Sequence, residues 1–496
     1  MIFIISVVIY LSVLLGVGFY KSKFVKTGDD FVVAGRQASF WMLAGSLVCT
    51  WIGSGSLFGS AGLAFKSGFS ELWFSSGAWL GILFISTIAY KVRKISQYTL
   101  TDILEKRYNR TAKILGTITI IISYMVITGY QFKGGGRLLS IITNGSISPE
   151  LGTALTAVFI ISFTLLAGMV SIMSIDIING IVMILAIFIS LPMLIVKNGG
   201  AGTLLNNIKM NFPDRLDIMG GHDPIWVIGL ILPTLLLLLS ESSIYQKFSS
   251  AKDPKTAKKA VIGMLTGVIL IEVAMASLAV VGFALYMKDP RFWINGEIGN
   301  IINQAKAEEI ILRLGFEKLP LWAGLLLINS GVAIIISTGN TFLMVTSTNT
   351  VRDLLQPIFK FSNEKIVKIQ RYTIAGLGIL AYLLVTQFQT ILEMAFIAYT
   401  MIGASLTPAL LATFFWKRVT TKGGVASILA GMLTTVLFVI INKILIYKSL
   451  TYSFLGIKFP ISTDYIAIPA FFFSMLFLIF VSLMTEKEDK WRLFFD

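Results

Sequence analysis

Apolar residues run for about twenty positions at a time along this 496-residue chain, separated by short polar connections. About 20 apolar residues in a helix cross a ~30 Å hydrocarbon core, so each run is long enough to span. Thirteen such runs fall near 2–20, 38–65, 72–90, 114–142, 151–170, 177–196, 224–246, 260–287, 321–350, 372–386, 392–416, 424–442 and 464–484. A membrane barrel would show short alternating strands, and the sequence has none. The pattern predicts an all-α polytopic membrane protein.

Three runs break the pattern from within. The second contains Cys49-Thr50-Trp51-Ile52-Gly53-Ser54-Gly55-Ser56, where a continuous span should be uniformly apolar. Small residues loosen a helix, and carbonyls freed in hydrocarbon are tolerated only where they line a cavity or meet a ligand. Interrupted helices at that depth mark the binding sites of secondary transporters. Close helix packing through small residues is the plainer alternative. The ninth run carries Ser337, Thr338, Asn340 and Thr341 within about one and a half turns. Neutral hydroxyl and carbonyl oxygens suit hard cations, although Ser and Thr also bond back to carbonyls of their own helix. The eleventh run holds Gly403 and Pro408, which predict a kinked or flexible helix.

Composition narrows the class. The chain is 55% hydrophobic and 14% charged, with mean hydropathy +0.82, whereas soluble domains carry about 25% charged residues. One cysteine, Cys49, excludes an intramolecular disulfide framework and zinc clusters. The first run has no basic segment before it and is expected to remain as a span rather than be cleaved. The net charge of +15 could indicate a nucleic-acid partner, but its distribution argues against one. Alternate loops (21–37, 91–113, 247–259, 351–371, 417–422 and the tail) hold 27 Lys and Arg, and the opposite set holds 12. Basic loops face the cytoplasm, which puts the N-terminus outside and the C-terminus inside.

Charged residues within the runs are candidates for function. Lys133 and Arg137 share a helix face and either line a cavity, pair, or snorkel outward. Asp176, at the expected start of the sixth span, either caps that helix or ligates a cation. Glu241, Glu272 and Glu393 have no partner readable from sequence. The only histidine, His222, sits in a Gly-Gly-His-Asp-Pro turn, which reads as a solvated loop rather than a transferase centre. Glu308, Glu309 and Arg313 suggest a short external surface helix.

These stretches together resemble the sodium:solute symporter family over roughly residues 28–430. The likeness rests on Asp30-Phe31 with Ala34-Gly35-Arg36, the Gly-Ser-rich second span, and Ser174-Ile175-Asp176. It also rests on Gln246-Lys247-Phe248-Ser249-Ser250-Ala251-Lys252, the Ser-Thr cluster of the ninth span, and Gly403-Ala404 with Pro408 before Trp416-Lys417-Arg418. The resemblance implies a LeuT-type fold: inverted five-helix repeats at 38–197 (spans 2–6) and 198–423 (spans 7–11). One span would precede them in 1–37 and two would follow in 424–496. Opposite orientations of two five-span repeats agree with the charge count.

Carried over by position, the family's sodium site implies backbone carbonyls of Cys49, Ile52 and Ile334 with hydroxyls of Ser337 and Thr338. A second sodium would draw on Asp176, Asn340 and Thr341 beside Ser337. The family usually has a hydroxyl at the place of Asn340, and an amide oxygen can still ligate sodium. Residues flanking the expected breaks, Trp51, Ser54, Ser56 and Ser242, are expected against solute, with Lys133 to neutralise a carboxylate. Trp51 replaces an aspartate of the proline branch, and the Gln131-to-Leu139 pattern looks more like the pantothenate-type branch. The implied function is sodium-coupled import of a small organic solute, carboxylate-bearing by preference. A sugar or sialic acid symporter is the alternative, and a solute sensor or a membrane transferase the rivals of another class. The expected partners are Na+, the solute and the lipid bilayer, with no nucleic acid and no obligate protein partner. The expected location is the bacterial inner membrane.

Overall fold

A computed structural model describes residues 1–23, 28–95, 99–166, 168–445, 451–454, 457–460 and 462–488. Helices dominate throughout. Eleven among the described residues are long and apolar enough to cross a membrane. The count differs from thirteen for local reasons. The apolar half-helix Phe40–Trp51 is too short to qualify alone, and Gly55–Ile85 runs through a sharp turn and counts once. Asn363–Val385 begins with the polar run Asn363-Glu364-Lys365 and is not among the eleven.

That sharp turn depends on glycine. Gly68 has φ +68°, and a Cβ there would stand 1.8 Å from the carbonyl oxygen of Arg215. A side chain at this position would therefore collide with backbone.

Two helices break in the middle. Phe40–Trp51 starts on Ser39, whose hydroxyl accepts from the Met42 amide, and ends at Ile52, which is extended (φ −75°, ψ 94°). The chain then re-enters a helix at Gly55 and continues to Ser67. Pro224–Leu239 starts on Asp223 and stops at Ser240. Glu241 is extended (φ −70°, ψ 99°) before Ser242–Ser250 resumes. The first break falls in the Gly-Ser-rich second run, and the second falls in the seventh run, beside Ser242.

Unbroken helices enclose these two. Arg110–Ile142 lies beside Ile391–Phe415, and Met169–Lys197 lies beside both Leu321–Asn349 and Phe40–Trp51. The last two long helices, Thr421–Leu445 and Ala467–Met484, pair with each other through the Ser427 and Ser474 hydroxyls at 2.9 Å. Outward-facing Leu, Ile, Val and Phe on the rim helices remain exposed, as lipid-facing surfaces require.

Several local expectations change. The sixth run begins at Met169 rather than near 177, so Asp176 lies two turns inside a helix and does not cap it. An antiparallel hairpin, Thr451–Phe454 with Ile457–Pro460, joins the last two spans, where the sequence shows no strand signal. The loop after Lys197 contains a helix, Ala201–Asn211. His222 stacks on Trp226 at 3.8 Å, in agreement with a loop role.

Candidate ion and solute site

The first break brings freed carbonyls to the Ser-Thr cluster. Thr338 directs its hydroxyl at the carbonyl oxygens of Cys49 (3.1 Å) and Ile52 (3.2 Å). One hydroxyl has one proton, so at most one of these carbonyls is fully satisfied at a time. Ile334 lies one turn before Thr338 on the same helix and is buried. Gly53 leaves the space between: a Cβ there would come within 2.9 Å of the Thr338 methyl. Three oxygens, the Cys49 and Ile52 carbonyls and the Thr338 hydroxyl, thus meet from two helices without thiolate or imidazole, a donor type that fits a hard monovalent cation.

Beside it is a buried charged network. Asp176 receives hydrogen bonds from the hydroxyls of Ser46 and Ser337. The Cys49 thiol donates to the Asp176 backbone carbonyl at 3.1 Å. The Lys247 ammonium donates to the Ser46 carbonyl at 2.9 Å and to the Thr50 hydroxyl, and lies 3.5 Å from the Asp176 carboxylate. Lys247 is fully buried, which corrects its reading as the first cation of a cytoplasmic loop. The proposed second-ion residues therefore have partners of their own. Asn340 accepts from the Thr164 hydroxyl at 2.9 Å, and only the buried Thr341 hydroxyl lacks one.

A small cavity lies between the two breaks, bordered by Trp51, Tyr130, Glu241, Thr338, Phe342 and Tyr399 among others. Its water-sized space is about 10 Å³, roughly one water, so a solute must widen it. Trp51 is fixed by Glu272, which accepts from its indole N–H at 2.9 Å and from that of Trp79 at 2.6 Å. Of the residues expected against solute, Trp51 borders this cavity and Ser54, Ser56, Ser242 and Lys133 do not. Ser54 faces Gly134, whose added Cβ would come within 2.6 Å of its hydroxyl. Ser56 is buried, and Ser242 accepts from Asn349 at 3.4 Å. Lys133 donates to the Phe388 carbonyl at 2.6 Å, and Arg137 pairs with Glu308, which also accepts from the Ile391 and Leu392 amides. Those two cations tie neighbouring helix ends together, the structural-pair alternative for Arg137. It also corrects the surface reading of Glu308, which is buried.

Sequence reasoning missed Gln131, Tyr130, Tyr399 and Lys247. Gln131 accepts from the Ser54 amide at 3.0 Å and so ties off one group of the break. An amide side chain within an apolar helix was the available signal.

Paired broken helices with a convergent oxygen site define an alternating-access membrane carrier rather than an enzyme. A family model for the sodium:solute symporter family matches residues 31–431, and the chain belongs to that family, which is made up of transporters. It is 27% identical to the osmoregulated proline transporter OpuE of Bacillus subtilis, over 99% of this chain and 97% of that one. It is 26% identical to the high-affinity proline transporter PutP of the same organism (96% and 96%), and 23% identical to the sodium/proline symporter of Escherichia coli (97% and 93%). These are proline transporters, so the pantothenate-like preference gains no support from them. A Na+-coupled sialic acid symporter in its substrate-bound outward-open state shares the fold, with TM-score 0.79 at 16% identity over 98% of both chains. MhsT in complex with L-phenylalanine aligns with TM-score 0.54 at 16% identity, over 90% of this chain and 98% of that one. The fold is of the LeuT type.

Proposed function

We propose that this protein is a sodium-coupled symporter that imports a small, carboxylate-bearing organic solute of the amino-acid class across the bacterial inner membrane. The observation that carries this reading is the Thr338 hydroxyl facing the carbonyls of Cys49 and Ile52 across the first break. Sodium held by Cys49, Ile52, Ile334, Ser337 and Thr338 would tie the broken helix to Leu321–Asn349 and favour one orientation of the carrier. Solute would enter beside Trp51, between the breaks. Coupling follows when each ligand favours the same state, and the effect is reciprocal. One sodium entering through 100 mV contributes about 2.3 kcal/mol.

In this reading the chain crosses the membrane thirteen times, with its N-terminus outside and its C-terminus inside. The inverted repeats are 38–197 and 198–423, and the matching breaks at 52–54 and 240–241 support that pairing. We read one sodium per cycle. Asp176 already faces the Lys247 ammonium and Asn340 already bonds Thr164, which leaves the Asp176, Asn340 and Thr341 set a poorer second site.

Uptake of L-proline into proteoliposomes, driven by an inward sodium or potassium gradient, tests the reading. Accumulation above equilibrium with sodium alone is expected. Equilibration without accumulation would exclude symport and favour an uncoupled carrier, whereas binding without any movement of solute would favour a sensor.

A further inference from the structure

The second break has a chemistry that the first does not. Half-helix N-termini at a break ordinarily present free N–H groups to an anionic part of the solute. Here the start of Ser242–Ser250 already has an anion from the chain itself. Glu241 Oε1 accepts from the Ser243 hydroxyl at 3.0 Å, from the Ser243 amide at 3.4 Å, and from the Tyr124 hydroxyl. Its other oxygen, Oε2, is buried and has no hydrogen-bond partner. Glu241 is 1% exposed and borders the cavity between the breaks. An unpartnered carboxylate oxygen in such a place is costly unless something donates to it.

The rest of the cavity wall favours one kind of donor. Trp51 and Tyr399 lie with ring centroids 6.4 Å apart, and the Tyr399 hydroxyl meets that of Tyr130 at 3.3 Å. Aromatic faces beside a carboxylate attract a cationic nitrogen, since the ring quadrupole adds to the charge attraction. Among the described residues, no Lys, Arg or His lines the cavity. Lys247, the nearest cation in the chain sequence, is directed at Ser46, Thr50 and Asp176 instead.

We propose that Glu241 is the counter-ion for a positively charged nitrogen of the solute, held between Glu241 and the rings of Trp51 and Tyr399. The inference rests on the symport reading and adds a substrate class to it: amino acids or quaternary-ammonium solutes, not sugars and not simple anions. Glu241 is then a specificity-determining residue.

Equilibrium binding to the purified full-length protein tests this, with proteoliposome uptake measured in parallel. The probes are L-proline, glycine betaine and choline, each with a cationic nitrogen, against D-galactose, D-pantothenate and tetrahydrofuran-2-carboxylate, the oxygen analogue of proline. At least one of the first three should bind. If it is L-proline, the oxygen analogue should bind at least tenfold more weakly. Glu241→Gln keeps an oxygen for Tyr124 and Ser243 and should weaken the cationic probe at least tenfold, while Glu241→Asp should retain part of its affinity. An unchanged sodium-dependent rise in melting temperature would show that Glu241→Gln remains folded. Tight binding of galactose, pantothenate or the oxygen analogue overturns the proposal. So does failure of all three cationic probes, or full affinity in Glu241→Gln. Glu241-dependent binding with uptake indifferent to sodium would instead refute symport and leave the counter-ion role standing. Sodium-driven uptake of galactose would do the reverse.

Discussion

The ammonium of Lys247 lies 3.5 Å from the carboxylate of Asp176, and both residues are sealed from solvent. The pair joins the second half of one broken helix, Ser242–Ser250, to the long helix Met169–Lys197. Breaking such a pair leaves one uncompensated buried charge, at about 3–5 kcal/mol, whereas replacing both partners by apolar groups is often nearly neutral. Lys247→Ala should therefore lower the unfolding midpoint markedly in detergent. Lys247→Met combined with Asp176→Leu should recover most of the loss. Equal destabilisation of the single and double variants would mean the two charges do not compensate each other.

In the proposed ion site Cys49 would serve through its backbone, so its side chain should matter little. Its thiol makes only a weak bond to the Asp176 carbonyl. Cys49→Ala should keep sodium-dependent uptake within about threefold, less than 1 kcal/mol. Ser337→Ala removes an oxygen that also bonds Asp176 and should cost more. The comparison is made on sodium activation curves in proteoliposomes. A larger effect at Cys49 would place its side chain, not its carbonyl, at the ion.

These residues also show what a sequence can and cannot display. Gly53, Ser54 and Gly55 announce a broken helix locally, and Ser337-Thr338 announces an oxygen-rich face, because both signals lie within one or two turns. Pairings across the fold leave no such mark. Lys247 precedes the polar stretch beginning at Lys252 and reads as part of a loop, yet its partners Ser46 and Asp176 lie 201 and 71 positions away. Asp176 reads as a cap or a cation ligand because it stands at the expected start of the sixth span, but the helix continues back to Met169 after extended Gly168. Glu308 looks like part of a surface helix until Arg137, 171 positions away, is seen beside it.

Gly53 is a steric test of the same site. An added methyl would lie 2.9 Å from the Thr338 Cγ2 and 3.1 Å from its Oγ1. Overpacking of this kind costs about 1–3 kcal/mol, and here the group that must move is a proposed ligand. Gly53→Ala should raise the sodium concentration for half-maximal uptake by tenfold or more while the protein still reaches the membrane. Unchanged sodium activation would show that Thr338 can shift without consequence.

Outside the membrane, the segment near Asp289 should set an acid limit. Asp289 is fastened to Arg291 at 2.7 Å, and Arg291 continues to Glu317 at 3.1 Å. The Arg291 guanidinium holds the Asp289 carboxyl below its ordinary range. A carboxyl depressed in the folded state stabilises above its unfolded pKa of about 4, and that stabilisation fades as pH falls through the folded value. The pair is partly exposed, so the effect is small. Melting temperature should dip below about pH 4 in the wild type, and less so in Arg291→Ala. Identical pH profiles would remove the linkage.

The central claim is tested most directly by equilibrium binding of radioactive sodium to purified protein, wild type against Thr338→Ala and Thr338→Ser. The account predicts saturable binding of one sodium per chain, at least tenfold weaker in Thr338→Ala, or about 1.4 kcal/mol, and largely kept in Thr338→Ser. Wild-type sodium affinity in Thr338→Ala would contradict it.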